Sequence, residues 1–159
     1  MRVGFGYDIH ALVPGRPLVI GGITLPFEYG LDGHSDADVL THALIDAMLG
    51  AAAMGDIGTL FPDTEERYRG ISSLRLLKTV LNTMNKAGYQ IHNIDATIIA
   101  QAPKLGPHRD RIIRTLADAM GIPVNRVSVK ATTHEGFDAT GRGEAIAAYA
   151  VVCLSGGDG

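Results

Sequence analysis

"GFGYDIH", residues 4–10, is the stretch on which the fold turns, and it admits two readings. In the first, Gly4 and Gly6 begin a dinucleotide fingerprint, G-x-G-x-x-G, whose third glycine lets a helix pack closely on the strand before it. The third position here is Ile9, and β-type residues continue beyond it. "GRGEAI" (141–146) fails at the same place, with Ile146, and no G-x-x-x-x-G-K-[ST] occurs. In the second reading the segment is simply a strand, and its point is Asp8 and His10. Alternate residues of a strand share a face, so a carboxylate and an imidazole stand side by side. They supply two of the three protein ligands of a zinc centre that keeps one position open for chemistry.

The third ligand must come from elsewhere, and "HSDADVLTHALIDAMLGAAAMG" (34–55) offers His42. This segment reads as a helix. Ser35 is a natural N-cap with Asp38 three residues on, and Val39, Leu40, Ala43, Leu44, Ala47 and Met48 form an apolar stripe. Asp38 precedes His42 by four residues, on the same helical face, and is expected to orient its ring.

The remaining elements follow from period and punctuation. Residues 2–12 read as a strand, and "LVIGGITLPF" (18–27) as a hairpin in which Gly21 and Gly22 supply positive φ. Gly, Pro and Asp crowd residues 55–70, which predicts a loop. A second helix is expected from Ser72 to about Ala87, with Leu74, Leu77, Val80, Leu81 and Met84 inward. "IDATIIA" (94–100) reads as a strand, and a third helix begins near Pro107. "RVSVKATT" (126–133) and "EAIAAYAVVCL" (144–154) read as the last two strands, around a Gly-rich loop. The predicted order is β, hairpin, α, α, β, α, β, β. It gives an α/β (α+β) fold, one domain over residues 1–159, with a mixed β-sheet and helices on one face.

Composition narrows the function. With 46% hydrophobic and 19% charged residues the chain is globular rather than disordered. A net charge of −3 excludes a general nucleic-acid or anionic-membrane binder. An anionic ligand must then be held by a metal, a helix N-terminus or a few placed cations. Apolar runs are too short or too charged to cross a bilayer, no leader pattern opens the sequence, and Cys153 has no partner for an intrachain disulfide. The expectation is a soluble, cytoplasmic protein. Three further segments suit phosphate chemistry. "AQAPKLGPH" (100–108) puts Lys104 before a helix N-terminus. "KATTHEG" (130–136) offers the hydroxyls of Thr132 and Thr133, and Glu135 for a hard cation. "GDIGTLFPD" (55–63) sets Asp56 and Asp63 at the ends of a loop rich in backbone donors.

Taken in order, "GFGYDIH", "IGG", "GHSDADVLTHALIDAMLGAAAMGDIGTLFPDT", "TIIAQAPKL", "VKATT" and "GRGE" closely resemble the 2-C-methyl-D-erythritol 2,4-cyclodiphosphate synthases of the non-mevalonate (MEP) isoprenoid pathway. The resemblance runs from residue 2 to about residue 154. It implies a phosphorus–oxygen lyase that converts 4-diphosphocytidyl-2-C-methyl-D-erythritol 2-phosphate to the cyclic diphosphate and releases CMP. By matching position it implies zinc, one per subunit, on Asp8, His10 and His42, and Mg²⁺ or Mn²⁺ at Glu135. His34 and Thr133 match transition-state stabilisers, and Ser35 a phosphate contact. Asp56, Ile57 and Gly58, continued by Phe61, Pro62, Asp63, Thr64 and Glu65, match the methylerythritol-binding stretch, together with Ala139 and Arg142. Ala100, Gln101, Ala102, Pro103, Lys104, Leu105 and Gly106 match the cytidine pocket, and Thr132, Thr133, His134 and Glu135 the phosphate wall. A homotrimer with sites shared between subunits is implied, with a small cytidine diphosphate compound as substrate and neither nucleic acid nor membrane as partner. Two positions depart from many relatives: Phe5, which a strand would point away from Asp8, and Ala139, where an aromatic is common. Other readings of the residues are a zinc phosphohydrolase, which would release inorganic phosphate, and a zinc-stabilised binding module.

Overall fold

The computed structural model describes residues 1–157; residues 158–159, inside the expected domain, lie outside the described residues. Among the described residues seven strands and five α-helices run in the order β1 (Arg2–Pro14), β2 (Leu18–Ile20), β3 (Ile23–Leu25), β4 (Tyr29–Leu31), α1 (Val39–Ala52), α2 (Ile57–Leu60), α3 (Ser73–Lys86), β5 (Tyr89–Ile99), α4 (Arg109–Met120), β6 (Val127–Thr132), α5 (Asp138–Gly141) and β7 (Ala145–Gly156). Five strands form one sheet, ordered β4-β1-β7-β5-β6, and β2-β3 is a separate two-stranded ribbon. β5 and β6 are parallel, joined through α4, and the other neighbours are antiparallel, so the sheet is mixed as expected.

The two opening glycines have a packing role. A β-carbon at Gly4 would stand 1.9 Å from the Ala47 carbonyl oxygen, and one at Gly6 would stand 2.0 Å from that of Ala43. No side chain fits there, and α1 therefore lies directly on the backbone of β1. Asp8 and His10 continue the same face of the strand, so the close approach that glycine permits also brings α1, with His42, over them.

α1 departs from the expected stripe. Ile45 and Leu49 are fully buried along with Leu40, Leu44 and Met48, because α3 covers the side of α1 turned away from the sheet. Each such side chain contributes about 1.5–3 kcal/mol of burial. The helix begins later than expected, with Asp38 rather than Ser35 as N-cap. Asp38 is fully buried and accepts hydrogen bonds from the backbone of Gly21, Gly22 and Thr41 and from the Thr41 hydroxyl. It clamps the β2–β3 turn to the start of α1 and does not reach the His42 ring. In α3, Leu76 is buried and Leu74 only half-buried, against Gly22. A short helical turn, Gly106–His108, precedes α4.

Helices cover only one face. On the other, Val3, Phe5, Tyr7 and Ile9 of β1 and Tyr149 and Val151 of β7 are exposed, with Phe5 at 62%. Tyr149 stacks on Tyr7 at 4.9 Å between centroids and on Phe5 at 5.9 Å. Phe5 thus points away from Asp8.

Candidate active site

His10 stands near the end of β1 and His42 in the first turns of α1, 32 residues apart in sequence. His10 Nε2 lies 2.9 Å from Asp8 Oδ2, His42 Nδ1 lies 3.0 Å from the same oxygen, and the two nitrogens are 3.2 Å apart. Among the described residues these three form a group able to hold a metal ion. The ring of His10 occupies space that Gly33 leaves open: a β-carbon at residue 33 would stand 3.0 Å from His10 Cε1.

Hydrogen-bond accounting shows what these atoms present to one another. His10 Nδ1 donates to the Asp32 carbonyl, which can only accept, so neutral His10 turns the lone pair of Nε2 inward. Asp8 Oδ1 accepts the Ile9 N–H, which fixes the carboxylate with Oδ2 toward the imidazoles. Burial works to raise the Asp8 pKa and to lower that of His10, but the hydrogen bonds between them win. Asp8 is held at about 2 and His10 is raised. Electron-rich atoms aimed at one point repel unless a proton or a cation sits among them. A tetrahedral ion with bonds of about 2.0–2.1 Å needs donors roughly 3.3 Å apart. The observed spacing fits with an adjustment of a few tenths of an ångström.

The group opens on a cleft of about 310 Å³, also lined by His34, Ser35, Ile57, Gly58, Phe61 and Asp63. His34 Nε2 donates to the Glu65 carbonyl at 3.1 Å, tying its ring to the loop beyond Phe61. Asp56 caps α2 by accepting the Thr59 N–H at 2.7 Å. The Ile57 N–H is held by Asp46 at 2.8 Å. Pro62 and Thr64 continue this loop without lining the cleft. Sequence reasoning did not find Tyr68 and Leu76, which complete the wall, nor Ser73 and Asp36 behind His42. The only sequence signal for Ser73 was its place at the start of a predicted helix.

A second cleft, about 300 Å³, is lined by Ala100, Gln101, Pro103, Lys104, Leu105, Gly106, Thr132 and Thr133. Ala102 belongs to the same loop, and the Ala100 N–H donates to the Thr132 carbonyl. Glu135, at φ 50°, accepts the Thr133 hydroxyl at 2.9 Å. His134 is bound to Asp138 and Thr140. Arg142 makes a two-pronged pair with Glu144 at 2.9 and 3.0 Å. His134, Glu135, Ala139 and Arg142 line neither cleft.

The two clefts share no residue. They stand at the same end of the sheet, since Ala147 pairs with both Ile9 and Ile99 and Ile99 pairs with Thr132. β1 and β6 are separated by β7 and β5, so about 14 Å of sheet lies between them, three intervals of about 4.8 Å.

The mixed sheet thus carries an Asp-His-His group that could hold a cation, facing a cleft. The chain belongs to the YgbB family, which it matches over residues 1–155. It is 58% identical over 154 residues to 2-C-methyl-D-erythritol 2,4-cyclodiphosphate synthase of Desulfosudis oleivorans, covering 97% of this chain and 92% of that one. It is 55% identical to the synthase of Desulfatibacillum aliphaticivorans, at 97% and 99% coverage. Among solved structures it resembles a CDP-bound form of the synthase with a TM-score of 0.90 and 38% identity, covering 97% of this chain and all of that one. It also matches the bifunctional IspDF of Campylobacter jejuni, with a TM-score of 0.93 and 38% identity over 96% of this chain, spanning 42% of that longer chain.

Proposed function

We propose that this chain is a 2-C-methyl-D-erythritol 2,4-cyclodiphosphate synthase, a lyase of the MEP route to isoprenoids. The observation that carries this reading is the convergence of Asp8, His10 and His42 beside His34 and Ser35, in a chain more than half identical to proteins of that name. In the reaction an oxygen of the substrate's 2-phosphate forms a bond to the β-phosphorus. The bond from that phosphorus to the oxygen bridging it to the α-phosphate breaks, and CMP leaves with the electron pair. Both reacting groups are anionic, so positioning and charge stabilisation are the main needs, and a protein nucleophile is not required.

Asp8, His10 and His42 would hold zinc, which when bound supplies Lewis-acid stabilisation of a diphosphate oxygen. Glu135, a lone carboxylate beside Thr133, suits Mg²⁺ or Mn²⁺ held largely by substrate phosphates. Ser35 Oγ accepts the Ala37 N–H at 3.1 Å and keeps its own hydrogen for a phosphate oxygen. His34, its ring anchored by the Glu65 carbonyl, and Thr133 stabilise charge on the transferring phosphoryl group. Ile57, Gly58, Phe61 and Asp63 enclose the methylerythritol end, with Asp56, Pro62, Thr64 and Glu65 shaping their loop. Residues 100–106 receive the cytidine, with Lys104 toward the diphosphate; Thr132 and Thr133 line that cleft, and His134 and Glu135 are assigned to the phosphate side by family position. Ala139 and Arg142 are assigned to the substrate side by family position alone.

The separation of the two clefts supports a homotrimer, in which a neighbouring copy brings its nucleotide cleft to this chain's metal group. The bare apolar face of β1 and β7 is a surface of the kind such assemblies cover. Among the described residues no helix is long and apolar enough to cross a membrane, and a cytoplasmic setting suits the lone Cys153. Mass spectrometry of the products, with and without a chelator, tests the proposal. CMP and cyclic diphosphate in equal amounts, both lost on chelation, are expected. Release of inorganic phosphate in place of CMP would replace the synthase with a hydrolase.

A further inference from the structure

His42 is held from behind by Ser73 and Asp36, which the reaction itself does not call for. On the side away from Asp8 and His10, His42 Nε2 lies 2.8 Å from the hydroxyl of Ser73, at the start of α3, and 3.1 Å from that of Ser35. Ser73 is fully buried. Its hydroxyl donates to Asp36 Oδ1, and its backbone N–H donates to Asp36 Oδ2 at 2.9 Å. α3 has no side-chain cap of its own from Ser72, so Asp36, from the loop before α1, serves in that place.

The hydrogens in this chain of contacts can be assigned by elimination. A serine hydroxyl has one hydrogen, and an ionised carboxylate only accepts. With its hydrogen committed to Asp36, Ser73 offers His42 a lone pair and nothing else. A contact of 2.8 Å is then attractive only if His42 Nε2 carries a hydrogen. A neutral imidazole has one, so Nδ1 is left bare, and Nδ1 is the atom aimed at Asp8 and His10. The same bond resists a half-turn of the ring, which would swing Nδ1 away from its partners.

We infer that Ser73, backed by Asp36, is a positioning residue that sets the tautomer and ring orientation of His42 for cation binding. The inference rests on the reading of Asp8, His10 and His42 as a cation site. Removing a hydrogen-bonding partner behind a metal-ligating histidine typically costs ten- to a hundredfold in metal affinity.

The test uses the purified full-length chain without substrate. Zinc affinity is measured by competition with a chromophoric chelator for the wild type, Ser73→Ala and Ser73→Thr. The ¹⁵N shifts of the His42 ring are recorded in the zinc-free proteins. Ser73→Ala should bind zinc ten- to a hundredfold more weakly and lose the clean Nε2–H signature. Ser73→Thr, which keeps the hydroxyl, should stay within a few fold of the wild type. Unchanged affinity in Ser73→Ala overturns the inference. Equal losses in both variants also overturn it, because they would mean that packing at the start of α3 is what matters. A wild-type chain that takes up no zinc overturns the cation site itself, a different result from zinc uptake that ignores Ser73.

Discussion

Gly6 lies directly under the Ala43 carbonyl, where a β-carbon would stand 2.0 Å from the oxygen and 2.7 Å from the Ala47 nitrogen. The obstacle is helix backbone, which cannot swing aside as a side chain would. Gly6→Ala should therefore lift α1 from β1 and cost at least about 1–3 kcal/mol, the usual range for overpacking. Urea denaturation reads the loss. Because His42 rides on α1, zinc affinity should fall in the same variant. A Gly6→Ala chain as stable as the wild type would show that the helix does not bear on this strand.

His42→Ala removes one of the three side chains proposed to hold zinc. The variant should keep its far-UV circular dichroism, bring little zinc through purification, and form no CMP. Elemental analysis beside a CMP assay checks this. Full zinc content in the variant would remove His42 from the ligand set.

Lys104 stands in the second cleft, away from the Asp-His-His group. Lys104→Ala should weaken CDP binding about tenfold by calorimetry, the loss of one charge-assisted contact at about 1.4 kcal/mol, and leave zinc affinity unchanged. Undiminished CDP affinity would count against its diphosphate role.

Asp138 is held at about 2, chiefly by the Thr140 hydroxyl, against desolvation and with further hydrogen bonds from Gly141, Thr140 and His134. A carboxyl lowered in the folded chain stabilises it above the unfolded value, about 3.9. That contribution is lost as pH falls through the folded value. The loop from His134 to Gly141 should thus hold at pH 5 and loosen toward pH 2. Thr140→Val should raise the Asp138 midpoint, read from its carboxyl ¹³C shift. An unmoved midpoint would mean that the backbone contacts suffice.

Much of this arrangement can be read from residue order, and the reasons are physical. Alternation puts Asp8 and His10 on one face whatever the rest of the chain does. Gly21-Gly22 marks its turn because few other residues tolerate positive φ. The role of Gly4 and Gly6 could not be read this way, since the lack of a side chain is explained only by what lies above it. Asp38 departs from its expected role for a related reason. Helical spacing pairs it with His42, but the glycine turn of β2–β3 offers two backbone donors from far away in sequence. Ser73 was silent for the same cause: nothing in "GISSLRLL" says that a histidine 31 residues earlier ends against it.

The distance across the sheet between the Asp-His-His group and Lys104 also bears on genetics. If each working centre draws its halves from two copies, a defect in one half can be masked by a sound half on the neighbouring copy. Co-expressing His42→Ala with Lys104→Ala chains would build hybrid rings in which some junctions join two intact halves. At low substrate the mixture would then turn over faster than the inactive His42→Ala chain and the weakened Lys104→Ala chain account for separately.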